Sequence, residues 1–213
     1  VIVAKIGILG GGEFGRQVEL LLAAHAGPVA VLWFDDTRAA AGEPDVAALR
    51  DYAKDEFAQL RFHVAIGYRH LALRLELIDD LARLGRATPR LVHPTAWVAP
   101  SAQVAAGAIV YPACCVDEGV DVGRGAVLHN RVTLSHDTKV GACAYLSPGV
   151  TTAGRVTIGA RAFLGAGVVC ADGVTIGEGA VIGIGTVVTS DVPPGRSAIG
   201  NPMRLLEKPL DLR

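Results

Sequence analysis

The chain has 213 residues, of which 51% are hydrophobic and 19% charged, with a formal net charge of −1. This balance excludes a disordered chain and gives enough apolar material for a sizeable core in more than one module. It also excludes a basic field for a nucleic-acid backbone, because the Lys and Arg residues are scattered, so no nucleic-acid partner is expected.

The apolar start runs from residue 2 to residue 10 and ends in glycines. It is too short for a membrane span and leads into a strand-to-helix turn, so neither a signal peptide nor an anchor is expected and the chain reads as cytoplasmic. From Glu13 to His25, Phe14, Val18, Leu21 and Leu22 form a helical stripe. A second strand reads Val29 to Phe34 and stops at Asp35-Asp36; a third runs from Leu60 to Ile66, before Gly67. Leu71 to Leu84 is an amphipathic helix. Strands alternating with helices imply a small parallel sheet, since parallel strands need long crossovers. Residues 1–90 are therefore expected to form a βαβ domain of half-Rossmann type.

From Val98 to Val188 every sixth residue is apolar or small, a spacing that neither a helical nor a strand period explains. The position after each is mostly Gly, Ala or Ser, and the position two before is mostly Ala or Val. This is the hexapeptide repeat of a parallel β-helix, expected over residues 91–213, in which three short strands close one triangular coil. Residues eighteen apart then stack, which puts Val98, Val116, Leu134, Thr152, Cys170 and Val188 in one inward column. Pro193-Pro194-Gly195 is expected to end the repeats. Four cysteines without a C-x-x-C pair argue against a zinc site and a disulfide framework, and no metal is expected.

Gly10-Gly11-Gly12-Glu13-Phe14-Gly15 fits G-x-G-x-x-G between a strand and a helix, where backbone N–H groups can hold a phosphate. Asp35 follows at about the distance where an acid often meets a ribose hydroxyl. Alone, this motif admits an NAD-dependent reductase. The span before the repeats is too short for a full dinucleotide-binding sheet and a catalytic domain, so one mononucleotide half fits better.

The repeat domain ends in Ile199-Gly200-Asn201-Pro202-Met203-Arg204. With the glycine-rich βαβ unit, Asp35-Asp36, Ala65-Ile66-Gly67 and His93-Pro94, the chain resembles the bacterial nucleotide-sugar N-acetyltransferases, left-handed β-helix hexapeptide acyltransferases, along nearly its whole length. The resemblance implies acetyl-CoA as co-substrate and a homotrimer. It implies an acceptor amine at the 4-position of a nucleotide-linked sugar, in surface-glycan synthesis. By resemblance Gly10, Gly11, Gly12, Asp35, Asp36 and Gly67 meet the nucleotide part, with Glu13 standing where the family commonly has histidine. His129 and Asn130 belong to the acceptor site. Tyr145, Gly154, Ala166, Ile184, Gly200 and Pro202 contact acetyl-CoA, and a backbone N–H near Gly154 faces the oxyanion.

His136, in Leu134-Ser135-His136-Asp137, matches the family's catalytic histidine, with Asp137 orienting the ring. An amine attacking a thioester must lose a proton, and an imidazole, with an ordinary pKa of about 6.5, accepts one near neutral pH. Two alternatives stay open: a sugar O-acetyltransferase of the sialic acid type, and a non-catalytic trimeric nucleotide-binding scaffold.

Overall fold

The computed structural model describes residues 5–210, so the first three residues of the expected opening strand lie outside the described residues. The chain divides into two compact units, Val1–Leu91 and Val92–Arg213.

In the first unit the elements run β1 (Lys5–Leu9), α1 (Glu13–Ala26), β2 (Ala30–Phe34), α2 (Asp36–Ala40), β3 (Val46–Ala47), β4 (Arg61–Val64) and α3 (Leu71–Arg83). The four strands are parallel, in the order β3-β2-β1-β4. Ile8, Leu9, Phe34, Phe62 and Val64 of the sheet are buried, as are Val18 of α1 and Leu77, Ile78 and Leu81 of α3. The helical stripes read in the sequence are thus the faces that close the core. Two elements carry no sequence period, because α2 and β3 are five and two residues long.

The second unit is a triangular parallel solenoid whose strands pair with those eighteen residues on, as in Leu134↔Thr152 and Val140↔Ile158. Its faces contain five, six and eight strands. In the column that begins at Val98, every residue from Val116 onward is buried. Burial pushes the Cys170 thiol up to about 12, so it remains a neutral core group. From Val104 to Ile182, each turn between faces places its residue three positions after the inward one at positive φ, either a glycine such as Gly119 and Gly173 or a non-glycine such as Asp137 and Arg155.

The faces differ in what they point outward. The five-stranded face shows Gln103, Asp121, Lys139, Thr157 and Thr175, all exposed. The six-stranded face shows Trp97, Cys115, Thr133, Thr151, Val169 and Val187, with Trp97 53% and Val169 42% exposed. The eight-stranded face shows Ile109, Val127 and Tyr145, all buried.

Pro193-Pro194-Gly195 does not end the solenoid. Val192 bridges Ile176, and Ser197–Ile199 pairs in parallel with Val181–Ile182, two residues short of the usual step. The prolines occupy a corner, where no ladder N–H is required, and Gly195 takes the positive φ there. The chain closes with Arg204–Leu205 antiparallel to Ala198–Ile199.

Candidate active site

The glycine loop of the first unit divides its three motif positions by need. Gly10 has φ +106, and a Cβ there would lie 2.7 Å from the Ala65 carbonyl oxygen; a Cβ on Gly15 would run into the Gly10 carbonyl and Trp33. Gly12 opens α1 and a Cβ there would meet nothing within 4 Å, so its backbone is open to approach. Gly11 N–H donates to Asp35 Oδ2 at 2.9 Å, and Arg38 N–H donates to Asp35 Oδ1 at 3.0 Å. Burial works to raise the Asp35 pKa, but amide hydrogen bonds from Arg38, Gly11 and Thr37, with the Arg38 charge, hold it below the usual carboxylate range. Asp35 therefore ties the loop to α2, while Asp36 accepts from Leu49 N–H at 2.8 Å.

Glu13 and Gly67 share a hollow of about 290 Å³ with Tyr68, Arg69 and His70. Arg74 of α3 is fully buried, donates to the Val64 and Ile66 carbonyls, and lies 5.7 Å from the Phe14 ring centre. Its hydrogen bonds fix the strand end that leads into Gly67. His63 is buried too; desolvation, then the charges of Arg74 and His25, push its pKa down to about 4, so it is neutral at pH 7.

In the solenoid, His136 lies at the edge between the six- and five-stranded faces. Its Nδ1 is 3.0 Å from Asp137 Oδ2. A carboxylate only accepts, so Nδ1 carries the hydrogen and Nε2 keeps a free lone pair. The ring lies over Gly154 of the next coil: a Cβ on Gly154 would collide with His136 Nε2 and Cε1 and would lie 3.0 Å from Asp172 Oδ1. The column Glu118, His136, Gly154, Asp172 is stitched by Asp137 N–H to the Glu118 carbonyl, Arg155 N–H to the His136 carbonyl and Gly173 N–H to the Gly154 carbonyl, each 2.9 Å. Arg155 pairs with Asp172. Asp137 is held at φ +59, and a Cβ on Gly119 would lie 2.5 Å from its Oδ1, so glycine there makes room for the carboxylate. A short polar residue such as Asp tolerates that left-handed conformation better than most.

The other solenoid residues named from the sequence gather on a different edge, between the eight- and six-stranded faces. Asn130, Pro148, Ala166 and Ile184 stack there at eighteen-residue steps, their column held by Gly149 N–H to the Asn130 carbonyl, Gly167 N–H to the Pro148 carbonyl and Gly185 N–H to the Ala166 carbonyl. Gly200 joins this edge: it donates to Thr186 Oγ1 and its carbonyl accepts from Val187 N–H. Pro202 follows in the adjoining turn. Ile184 is 77% exposed. His129 stacks on Tyr111 at 4.1 Å, and burial lowers its pKa. Tyr145 lies on the eight-stranded face, its ring 6.0 Å from those of His129 and Phe163. Within one chain, then, His136, Asp137 and Gly154 stand on one margin of the six-stranded face, and His129, Asn130, Ala166, Ile184 and Gly200 on the other.

Residues 155–190 match the hexapeptide repeat of succinyl-transferase. Comparison with curated protein sequences gives no match. Among solved structures, a variant of perosamine N-acetyltransferase from Caulobacter crescentus, in complex with CoA and GDP-perosamine, superposes with a TM-score of 0.87 at 32% identity over 98% of this chain and 99% of that one. The chain belongs to the nucleotide-sugar N-acetyltransferase family. The family's left-handed β-helix and N-terminal α/β region are those described above. The acetyltransferase domain of PglB from Neisseria gonorrhoeae, in complex with acetyl coenzyme A, is 29% identical over 96% of this chain and all of that one, with a TM-score of 0.86. WeeI from Acinetobacter baumannii, 23% identical over 95% of this chain, shares the fold with a TM-score of 0.84.

Reasoning from the sequence named the histidine and Gly154 but missed Asp172 and Arg155, although stacking at eighteen residues links 136 to 154 and 172. It also missed Arg69 and His70, which lie in a single 3-10 turn with no period to read. Among the described residues no cluster of His, Cys, Asp or Glu is built to hold a metal ion, and no helix is long and apolar enough to cross a membrane.

Proposed function

We propose that this chain is an acetyl-CoA-dependent N-acetyltransferase whose acceptor is the 4-amino group of a nucleotide-linked sugar, with His136 as general base. The relatives that carry CoA, acetyl-CoA and GDP-perosamine support this reading along the whole chain. The observation that carries it is the state of His136: Asp137 takes its Nδ1–H, and its Nε2 is free over a residue without a side chain.

The sugar amine attacks the carbonyl carbon of the thioester, and a C–N bond forms. His136 Nε2 takes the proton the nitrogen must lose. The C–S bond breaks, and the departing CoA thiolate receives that proton, so the imidazole ends neutral. Gly154 N–H, which meets no acceptor among the described residues, faces the carbonyl oxygen as it becomes negative. The nucleotide belongs to the first unit, with the open backbone at Gly12 and the hollow of Gly67, Arg69 and His70 offering donors to its phosphates and Asp35 fixing the loop.

We infer a homotrimer, and the two margins of the six-stranded face support it. A threefold axis facing that side brings the His136 margin of one copy against the Ala166 and Ile184 margin of the next, and three such head-to-tail contacts close a ring. Light scattering is expected to give three times the mass of one chain.

The deciding experiment is CoA release from acetyl-CoA across a panel of nucleotide-linked 4-amino sugars and their hydroxyl counterparts. H136A is expected to lower kcat by about 10² to 10⁴ on an amino sugar. Wild-type turnover by H136A overturns the base assignment, and faster turnover of the hydroxyl series overturns the amine.

A further inference from the structure

In the inward column that runs from Val98 to Val188, one residue carries a hydroxyl: Thr152, 1% exposed. A buried hydroxyl is costly unless bonded. Ser135 N–H donates to Thr152 Oγ1 at 3.2 Å, and the Oγ1 of fully buried Thr138 lies 3.3 Å from that of Thr152. Thr138 Oγ1 in turn lies 3.4 Å from the Ala153 carbonyl oxygen, the longest link of the three. A carbonyl only accepts and an amide only donates. One direction therefore satisfies every group: Ser135 N–H to Thr152, Thr152 O–H to Thr138, and Thr138 O–H to Ala153.

Both ends of this relay belong to the site. Ser135 immediately precedes His136. The Ala153 carbonyl shares its peptide with Gly154 N–H, and in a trans peptide the two groups point in opposite directions. A carbonyl turned toward buried hydroxyls thus aims Gly154 N–H out of the solenoid, and a hydrogen bond to that carbonyl strengthens the N–H as a donor.

We propose that Thr152 and Thr138 are positioning residues that lock the His136 corner and the Gly154 amide into one geometry through the interior of the solenoid. This rests on the reading of His136 as base and Gly154 N–H as oxyanion donor. Neither threonine touches substrate; each acts through a backbone group.

The test is T152V, which removes the hydroxyl, keeps the shape and copies the valines already present in the column. Its kcat is expected to fall about tenfold, the loss of one well-placed hydrogen bond. The KM for acetyl-CoA and for the acceptor is expected to stay within about twofold, because neither substrate loses a contact. T152S, which keeps the hydroxyl, restores kcat. Should T152V fail to fold, T138V interrupts the same relay at its other member and is expected to give the same split. Wild-type kcat in both valine variants, a loss confined to KM, or a serine variant as slow as T152V overturns the relay. H136A run alongside separates the two readings: an inactive H136A with a fully active T152V sinks the relay alone, whereas an active H136A sinks the base on which it rests.

Discussion

Two edges of the same prism use glycine for opposite ends. Between the five- and eight-stranded faces, Gly123, Gly141, Gly159 and Gly177 stand one above another, and a Cβ on any of them would strike backbone atoms of the next coil, as at 2.7 Å between Gly123 and the Val140 carbonyl oxygen. Backbone cannot step aside without opening the ladder. Between the six- and five-stranded faces, Gly154 has no such constraint from backbone: the first atoms a Cβ would meet belong to the His136 ring, the movable end of a side chain that is 48% exposed. Glycine on the first edge lets coils stack; at 154 it lets an imidazole lie flat against the prism. Equal residues in a repeat therefore carry unequal meaning, which depends on what occupies the position eighteen residues away.

The strongest way to break this contrast is a methyl group on each edge. G141A is expected to destabilise the solenoid by about 3 kcal/mol, at the upper end of what overpacking costs, because Ala160 has no free direction to move. Thermal unfolding reads this directly, and a midpoint equal to that of the wild type would end the distinction. G154A is expected to unfold with the wild type, its methyl group pushing the His136 ring off its seat, and to lose about thirtyfold in kcat, or about 2 kcal/mol of transition-state stabilisation. An alanine at 154 that melts early with normal turnover would reverse the assignment of the two edges.

Much of this was legible in the residue order. The period of six located the inward columns, and multiplying by three located which residues stack, so the His136 column can be written down without coordinates. What the period could not say is which neighbour each missing Cβ would meet, since this depends on how far a given ring lies from a given corner. The prolines at 193 and 194 misled for a related reason: a residue that forbids a ladder hydrogen bond is harmless at a corner, and only the register tells corner from strand. Thr152 was counted as one more inward residue, because a pattern of size and polarity does not reveal that two hydroxyls in adjacent turns face each other. In the first unit, the short elements α2 and β3 and the turn carrying Arg69 and His70 were missed because none is long enough to establish a period.

The smallest expected effect belongs to Asp137. Its carboxylate accepts from His136 Nδ1, and both side chains are open to solvent, 48% and 64% exposed, so water competes for the same hydrogen bond and the pair adds little to folding. Its value is directional. D137N keeps size and an oxygen acceptor, but its amide can rotate and present N–H to Nδ1, a choice a carboxylate does not have. In that arrangement Nε2 carries the ring hydrogen and cannot take one from the amine. The fraction of rings so misdirected sets the loss, which solvent competition limits to about tenfold in kcat with KM unchanged. D137A removes the partner without offering a donor, leaving water to choose the tautomer, and is expected to retain more activity than D137N. Neither variant carries the charge, so if the alanine variant proved the slower of the two, Asp137 would be acting by holding the ring with an oxygen acceptor rather than by excluding the other tautomer.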